Sequence, residues 1–435
     1  SFTPWLLAYR HGGIPMFRIS VVMTALINMF IAMEELCIID AREEVLIGMD
    51  YQSISSLKML RYAKGLTQQE LADAAGISRD TYRKIESGKS DPKISTLKSI
   101  AKALEVDIDD LFSPIEKPAQ IRFRSLKRMN TRDMVLFDVI KWLQDYNWLE
   151  QAVEEHAQWA LSDLSTDMSE LEKGADRAIL CARKSRNQLG LDEEEPIRDI
   201  CGLLESAGVK VYPKEVMSEA FFGMSVGPDC GGPLVVVNVW DRISVERWIF
   251  TAAHELGHLL LHPDSYDVDK TDENEAEEQE ANIFASYFLM LQTLFGKEWQ
   301  GTRGLPFLDR VLKVKRMFRV SYKTVLYRIS ETMNPRGNVW LQFQIEHNKR
   351  YKKTLKKADE PQPASTDKFM ASHSEASPAC EPEKLSETDF IPDRLARLVR
   401  QALEDEIISL SRAADMMGVD IKSMRSMTLS WADNP

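Results

Sequence analysis

The feature that most constrains this chain is the segment Thr251–His262, which reads TAAHELGHLLLH. Residues four apart lie on one face of an α-helix, so a helix here directs the imidazoles of His254 and His258 toward a single point. Two imidazoles at this spacing are typical ligands of a hydrolytic zinc ion, and Glu255 beside the first can accept a proton from a metal-bound water. The segment therefore predicts a buried helix that carries half of a catalytic metal site.

A third histidine extends this series. His262 lies about 12 Å along the helix axis from His254, at a rise of 1.5 Å per residue, which is too far to share an ion held between His254 and His258. Pro263 follows and blocks continuation of the helix. We therefore expect His262 to be a helix-end residue and not a ligand.

Length and composition limit the class of protein. A chain of 435 residues is too long for one ordinary core. The net charge of -12 argues against a general nucleic-acid coat, although a small DNA-reading domain remains compatible with it. The five cysteines include no Cys-x-x-Cys pair and are typical of reduced thiols in a cytoplasmic protein.

The apolar run from 19 to 33 is shorter than the roughly 20 residues that span a bilayer, so we expect no membrane contact. Residues 1–48 form an N-terminal extension of uncertain status.

Helix signals are dense between residues 52 and 114. Thr67 and Glu70 have the spacing of a capping box at the start of one helix. Gly76 then suits a tight turn, and Ser78 is placed to cap a second helix. A third helix is expected from about residue 94 to 104. The pattern predicts a small all-α domain built around a helix-turn-helix.

The residues of this domain resemble the phage-repressor-like (XRE) helix-turn-helix family. The resemblance covers 56–112 through the motifs QxxLAxxxGIS, from Gln68, and IESGK, from Ile85. It implies that the second helix enters the major groove of a double-stranded DNA operator. Gln68 would then approach a phosphate, and the base-facing residues would be Arg79, Asp80, Thr81 and Lys84. The segment holds ten Lys/Arg against nine Asp/Glu, so we expect a homodimer to supply the missing affinity.

Two strands are expected ahead of the metal motif, after a helical connector from 115 to 180. They are the stretches 209–212 and 233–239, separated by a loop that contains Phe222-Gly-Met-Ser225. The second strand leads almost directly into the metal-binding helix. Its exposed edge would accept an extended peptide by backbone pairing and lay the peptide across the metal.

The third metal ligand is expected on a downstream helix whose first turns are crowded with glutamates, EAEEQEANIFASYFLM from Glu275. Together with HELGHLLLH, the pattern ExxANxFA from Glu278 resembles the ImmA/IrrE family of gluzincin-type metallopeptidases over about 180–295. The resemblance implies that Glu278 binds one divalent metal, zinc or alternatively manganese, and that Asn282 orients the first histidine. Glu280 remains the alternative ligand.

The carboxyl-terminal part is less specific. Residues 305–331 suggest either a second helix-turn-helix or support helices of the peptidase core. Residues 336–388 read as a basic and disordered linker, and 389–435 as a small helical unit. The fold class is therefore multidomain and mainly α: an all-α helix-turn-helix domain at 52–114, an α+β zincin-like metallopeptidase domain at 181–335 and a helical C-terminal region.

The two resemblances together imply a DNA-binding transcriptional regulator with a metal-dependent endopeptidase domain. The protein substrate would be the chain itself or a repressor, and the second resemblance implies a repressor of the helix-turn-helix type. The alternative is a non-proteolytic transcription factor or antitoxin-like protein whose metal domain senses a ligand or partner. The presence of Glu255 favours the enzyme, because a structural metal site needs no base beside its first ligand.

Overall fold

The computed structural model describes residues 57–58, 60–61, 64, 66–106, 108–111, 121–123, 132–263, 274–332, 338–356, 359–362 and 385–432. The chain divides into two compact units, Ser1–Ile115 and Glu116–Pro435. The predicted extension at 1–48 lies outside the described residues. None of the helices in the described part combines the length and hydropathy that crossing a bilayer requires.

The first unit is the predicted all-α domain. Its helices include α1 (Gln68–Ala74), α2 (Arg79–Glu86) and α3 (Ile94–Leu104), followed by a 3-10 turn at Ile108–Leu111. The capping box is confirmed, since the Thr67 side chain accepts from the Glu70 N–H and the Glu70 carboxylate accepts from the Thr67 N–H. Gly76 turns the chain with φ of 70°. The apolar side chains meet in one core: Leu57, Leu71, Tyr82, Ile85, Leu97, Ile100 and Leu104.

The second unit is α+β, with further helices after its sheet. Its first elements are β1 (Ile121–Phe123), α4 (Arg132–Ala152), α5 (Ser162–Ser169), α6 (Ala175–Gln188), α7 (Ile200–Ser206), β2 (Lys210–Lys214), β3 (Gly223–Val226) and β4 (Leu234–Asn238). There follow α8 (Val245–Leu261), α9 (Glu275–Leu289), α10 (Gln292–Gly301), α11 (Phe307–Phe318), α12 (Tyr322–Thr332), α13 (Val339–Tyr351), α14 (Arg394–Glu404), α15 (Leu410–Met417) and α16 (Ile421–Ala432).

The sheet has the strand order β1-β3-β4-β2. β4 pairs in parallel with β2 and antiparallel with β3, so the strand before the metal helix is internal, and its expected exposed edge is a wrong prediction. All five residues of β4 are buried, as the continuous apolar run of an interior strand requires. The stretch expected as a loop at 222–225 largely forms β3, whose other edge pairs antiparallel with β1.

The predicted boundary between connector and peptidase domain, at 180/181, needs correction. It falls inside α6, and the connector also supplies β1 to the sheet. Leu164 and Met168 of α5 and Ala178 of α6 are buried in the same core as α8. Ser165 donates its hydroxyl to the Leu259 carbonyl, 3.2 Å away, near the end of α8. Pieces far apart in sequence thus complete one hydrophobic core around the metal helix.

The predicted linker at 336–388 is also only partly a linker. Its first part forms α13, in which Val339, Phe343 and His347 recur at helical spacing and are buried. The Phe343 ring stacks on Tyr322 of α12 at a centroid distance of 4.9 Å. The basic residues of this segment made its apolar face difficult to recognise from the sequence. Residues 363–384 lie outside the described part.

Helices α11 and α12 behave as support helices of the core. Val311, Val325 and Leu326 are buried in the core that contains α8 and α9. Arg328 is fully buried and donates to the carbonyls of Ser286 and Met290 at the end of α9. A cation at a helix carboxyl end is favoured by the helix dipole and the orphan carbonyls there.

The C-terminal helices α14 to α16 pack against α4. Leu398 and Val399 of α14 share a core with Tyr146 and Leu149 of α4. The first turn of α14 also docks on α7, because the Glu205 carboxylate accepts from the backbone N–H groups of Asp393 and Arg394, at 3.1 and 3.2 Å. Burial raises the pKa of Glu205 to about 7, although these two hydrogen bonds lower it.

This pKa makes the stability of the second unit depend on pH. The folded state holds a proton on Glu205 more tightly than the unfolded chain does, so its contribution is complete below the ordinary pKa near 4.5. The contribution is lost as pH rises through about 7. Between pH 5 and 8 we expect unfolding free energy to fall by about 3 kcal/mol at most. In Glu205→Gln this fall should disappear, as measured by denaturant unfolding at both pH values. The exposed Glu215→Gln is the control, and equal pH dependence in all three proteins would contradict the prediction.

Candidate functional site

The metal motif lies on α8, which is buried from Thr251 to Leu261. Gly257 sits where α8 crosses α9. A Cβ atom at this position would lie 2.8 Å from Cδ1 of Phe284 and 3.1 Å from its Cγ, closer than van der Waals contact allows. The missing side chain therefore lets the two helices approach and brings the histidines of α8 to the glutamates of α9.

Three of the predicted ligands lie together. The Nε2 atoms of His254 and His258 are 2.9 Å apart. The carboxylate of Glu278 lies 3.3 Å from Nε2 of His258 and 3.6 Å from Nε2 of His254. Two ligand atoms held about 2.0–2.1 Å from one tetrahedral ion are about 3.3 Å apart, so these separations fit a shared ion. Both imidazoles are buried and Glu278 is partly exposed, so the cluster is open to solvent on the glutamate side.

Glu280, the alternative ligand, is engaged elsewhere. It accepts from Nε and Nη2 of Arg177 at 3.0 and 2.6 Å and from the Gly174 N–H at 2.6 Å. Nε2 of His262 lies 3.0 Å from the same carboxylate. Burial raises the pKa of Glu280, but hydrogen bonds from His262, Arg177 and Gly174 outweigh it and lower the pKa to about 2. Glu278, by contrast, is the glutamate grouped with the two imidazoles.

Glu255 faces the sheet. It is buried, and its Oε2 accepts a hydrogen bond from the Ser225 hydroxyl of β3 at 2.9 Å. β3 approaches α8 closely at Gly223, where a Cβ would lie 2.5 Å from the Thr251 methyl and 3.4 Å from Cγ of Glu255. Gly223 and Ser225 were not predicted as site residues. Their signal was two small residues with strand periodicity in the stretch that precedes β4.

Asn282, predicted to orient His254, follows Glu278 by one helical turn and has an exposed side chain. Its role therefore stays a prediction.

The predicted base-reading residues are exposed on the amino-terminal part of α2: Arg79, Asp80, Thr81 and Lys84. Ser78 caps this helix by accepting from the Thr81 N–H at 3.1 Å. Asp80 pairs with Lys84 and Arg83 at 2.8 Å each, which holds the pKa of Asp80 below its usual value. The exposed side of α2 thus presents a set of donors and acceptors to solvent.

Gln68 has a contact that the sequence did not suggest. Its side-chain amide donates to Glu86, which also pairs with Arg61 at 2.7 Å and accepts from the Tyr82 hydroxyl at 3.1 Å. Gln68 therefore ties the start of α1 to the end of α2. Its contact with a DNA phosphate stays a prediction.

Comparison with known families gives two matches. Residues 57–111 match the family described as helix-turn-helix. Residues 204–330 match a peptidase family described as IrrE N-terminal-like domain. The second match contains α8, α9 and the entire histidine and glutamate cluster.

Similar curated proteins are transcription regulators. The chain is 33% identical over 75 residues to the cryptic phage CTXphi transcriptional repressor RstR of Vibrio cholerae, covering 17% of this chain and 68% of that one. It is 43% identical over 58 residues to the HTH-type transcriptional regulator MJ0272 of Methanocaldococcus jannaschii, and the alignment covers 13% of this chain and 88% of that protein. It is 46% identical over 57 residues to the HTH-type transcriptional activator BcrR of Enterococcus faecalis, and this alignment covers 13% of this chain and only 28% of that protein.

Among solved structures, a Mycobacterium tuberculosis transcriptional regulator is similar at 16% identity and a TM-score of 0.21. The alignment covers 45% of this chain and 53% of that one.

Whether Glu278 is the third metal ligand can be tested by measuring zinc affinity. We expect Glu278→Gln to weaken zinc binding by about 100-fold or more, because it removes one of three protein ligands. Zinc at 100 times its dissociation constant should stabilise the unaltered protein by about 2.7 kcal/mol and this variant hardly at all. The measurement is a zinc titration followed by competition with a chelator and by thermal unfolding. Glu275→Gln, at an exposed position on the same helix, is the control. Unchanged affinity in Glu278→Gln would contradict the assignment.

Proposed function

Because the chain belongs to the phage-repressor-type helix-turn-helix regulators and carries an IrrE-like domain, we propose that it is a DNA-binding regulator with metal-dependent endopeptidase activity. It cleaves itself or a repressor protein and so switches transcription. The observation that carries this proposal is the buried Glu255 beside the cluster of His254, His258 and Glu278. A metal site with a carboxylate base beside it is suited to hydrolysis.

The donor set of two imidazoles and one carboxylate fits zinc, with manganese as the alternative. His254, His258 and Glu278 would hold the ion, which when bound polarises the scissile carbonyl and acidifies water. Glu255 then accepts the proton of the attacking water and passes it to the leaving amine, without a covalent intermediate. Ser225 fixes one oxygen of the Glu255 carboxylate and so holds the orientation of this base.

The sheet bears on how a peptide would reach this site. β3 carries Ser225, whose hydroxyl holds the base, and its outer edge is the one paired with β1. In that ladder Arg122 is in register with Ser225. A substrate that added a strand to this edge would therefore displace β1, a segment of the predicted connector that lies within the second unit. This arrangement supports a peptidase whose access is linked to the connector.

The proteolytic proposal is tested by a cleavage assay. The full chain, with zinc or with manganese, is incubated with itself and with candidate helix-turn-helix repressors. We expect specific cleavage that Glu255→Gln lowers by about 10²–10⁴-fold while metal binding persists, since this change removes the proton acceptor and keeps the ligands. Glu275→Gln is the control and should cleave normally.

The alternative is a regulator whose metal domain senses a ligand or partner without hydrolysis. It is favoured by the names of the similar curated proteins, which are regulators. Intact operator binding together with no cleavage of any candidate, in the presence of either metal, would support this alternative and contradict the peptidase.

DNA binding is tested separately. We expect the protein to bind a divided operator as a homodimer, with half-sites about one helical turn apart. Arg79→Ala should weaken binding by about 1–3 kcal/mol and relax preference at one base pair, because a bidentate contact to guanine is lost. The measurement is fluorescence anisotropy on duplexes selected from a random library. Lys98→Ala removes an exposed cation from α3 and is the control; equal losses in both variants would show that Arg79 contributes charge only.

A further inference from the structure

A series of buried polar contacts leads from His258 away from the cluster of His254, His258 and Glu278. Nδ1 of His258 lies 2.9 Å from Nδ1 of His262, and Nε2 of His262 lies 3.0 Å from Oε2 of Glu280. Glu280 in turn pairs with Arg177 at 2.6 Å. All four side chains are buried, with at most 4% of the residue exposed. His262 does cap the end of α8, as expected, but this position also places it within the chain of contacts.

One arrangement of protons satisfies both contacts of His262, the one with His258 and the one with Glu280. If His258 offers Nε2 to a metal, its ring proton is on Nδ1 and is donated to Nδ1 of His262. His262 then carries its own proton on Nε2 and donates it to Glu280, which as a carboxylate can only accept. Each N–H in the row meets an acceptor. The opposite tautomer of His262 would set two N–H groups against each other and leave Glu280 facing a bare ring nitrogen.

The Glu280 end of this series is held from the start of α6, which itself contacts the end of α5. Arg177 of α6 donates two hydrogen bonds to Glu280, and the Gly174 N–H donates a third. Arg177 also donates to the Met168 carbonyl at 3.3 Å. A bidentate arginine fixes the plane of a carboxylate, so Glu280 presents its oxygen to His262 in a defined direction.

We propose that His262, Glu280 and Arg177 are positioning residues for the metal ligand His258. They select its Nδ1–H tautomer, fix its ring orientation and make Nε2 a better donor to the metal. The inference rests on the proposed metal site, but not on peptide hydrolysis. It gives a role to His262, which helix geometry excludes as a ligand, and to Glu280, which was the alternative to Glu278 as the third ligand.

The test is metal affinity in matched variants of the full chain. His262→Phe should weaken zinc binding, measured by competition with a chromophoric chelator, by about 10–100-fold, the usual cost of losing a hydrogen-bonding partner of a ligand. His347→Phe is the control. It also removes a buried histidine of the second unit, one whose Nδ1 contacts the Lys353 carbonyl. Its zinc affinity should match that of the unaltered protein.

A second measurement needs no destabilising change. In zinc-loaded full-length protein with ¹⁵N-labelled histidine, long-range ¹H–¹⁵N spectra should show His262 as the Nε2–H tautomer, with its resonances assigned from their loss in His262→Phe. The proposal is overturned if His262 carries its proton on Nδ1, if it is doubly protonated, or if His262→Phe binds zinc within about twofold of the unaltered protein. Zinc binding without cleavage would contradict the proposed peptidase activity but not this inference. A lack of zinc binding in the unaltered protein would contradict the metal site and this inference with it.

Discussion

The close packing of α8 against α9 is the contact on which the candidate site depends. Gly257 permits it, because Phe284 occupies the space that any larger side chain would need. The contact gives two neighbouring glutamates of α9 different surroundings: Glu278 lies beside the imidazole pair and Glu280 lies beside His262. A wider separation of the two helices would break both groups at once, since hydrogen bonds and metal ligation tolerate only a few tenths of an ångström.

The opposite side of α8 is formed by the sheet. β3 comes close enough to hold Glu255 through Ser225 because Gly223 leaves room beside Thr251. The proposed base Glu255 is therefore supported from β3, while the proposed ligand His258 is supported through His262 from α6 and α9. The two supports come from different segments, so each can be altered separately. That separation is what makes proton transfer and metal binding independently testable.

The first unit was predictable almost completely from its residues. Thr67 with Glu70, Gly76 and Ser78 are local signals, each acting within four positions along the chain, and the buried positions repeat at helical spacing. The second unit was less predictable, because its elements are completed by distant segments. The connector contributes β1 and α5, and the apparent linker contributes α13. The pairing of β1 with β3 joins residues more than a hundred positions apart, which no local window shows. The buried face of α13 is a local pattern, but basic residues of the same segment obscured it.

The sequence by itself determined the helix of the metal motif, the spacing of His254 and His258, and the position of Glu255 beside them, because a helix converts spacing directly into direction. It also determined the helix-turn-helix, whose caps and turn are local. Only the tertiary structure decided which side chains Glu278 and Glu280 lie beside, that β4 is internal and that His262 contacts His258. The physical reason is that a carboxylate or a strand edge has the same chemistry wherever it occurs, and its role is set by the neighbours that packing brings within hydrogen-bonding distance.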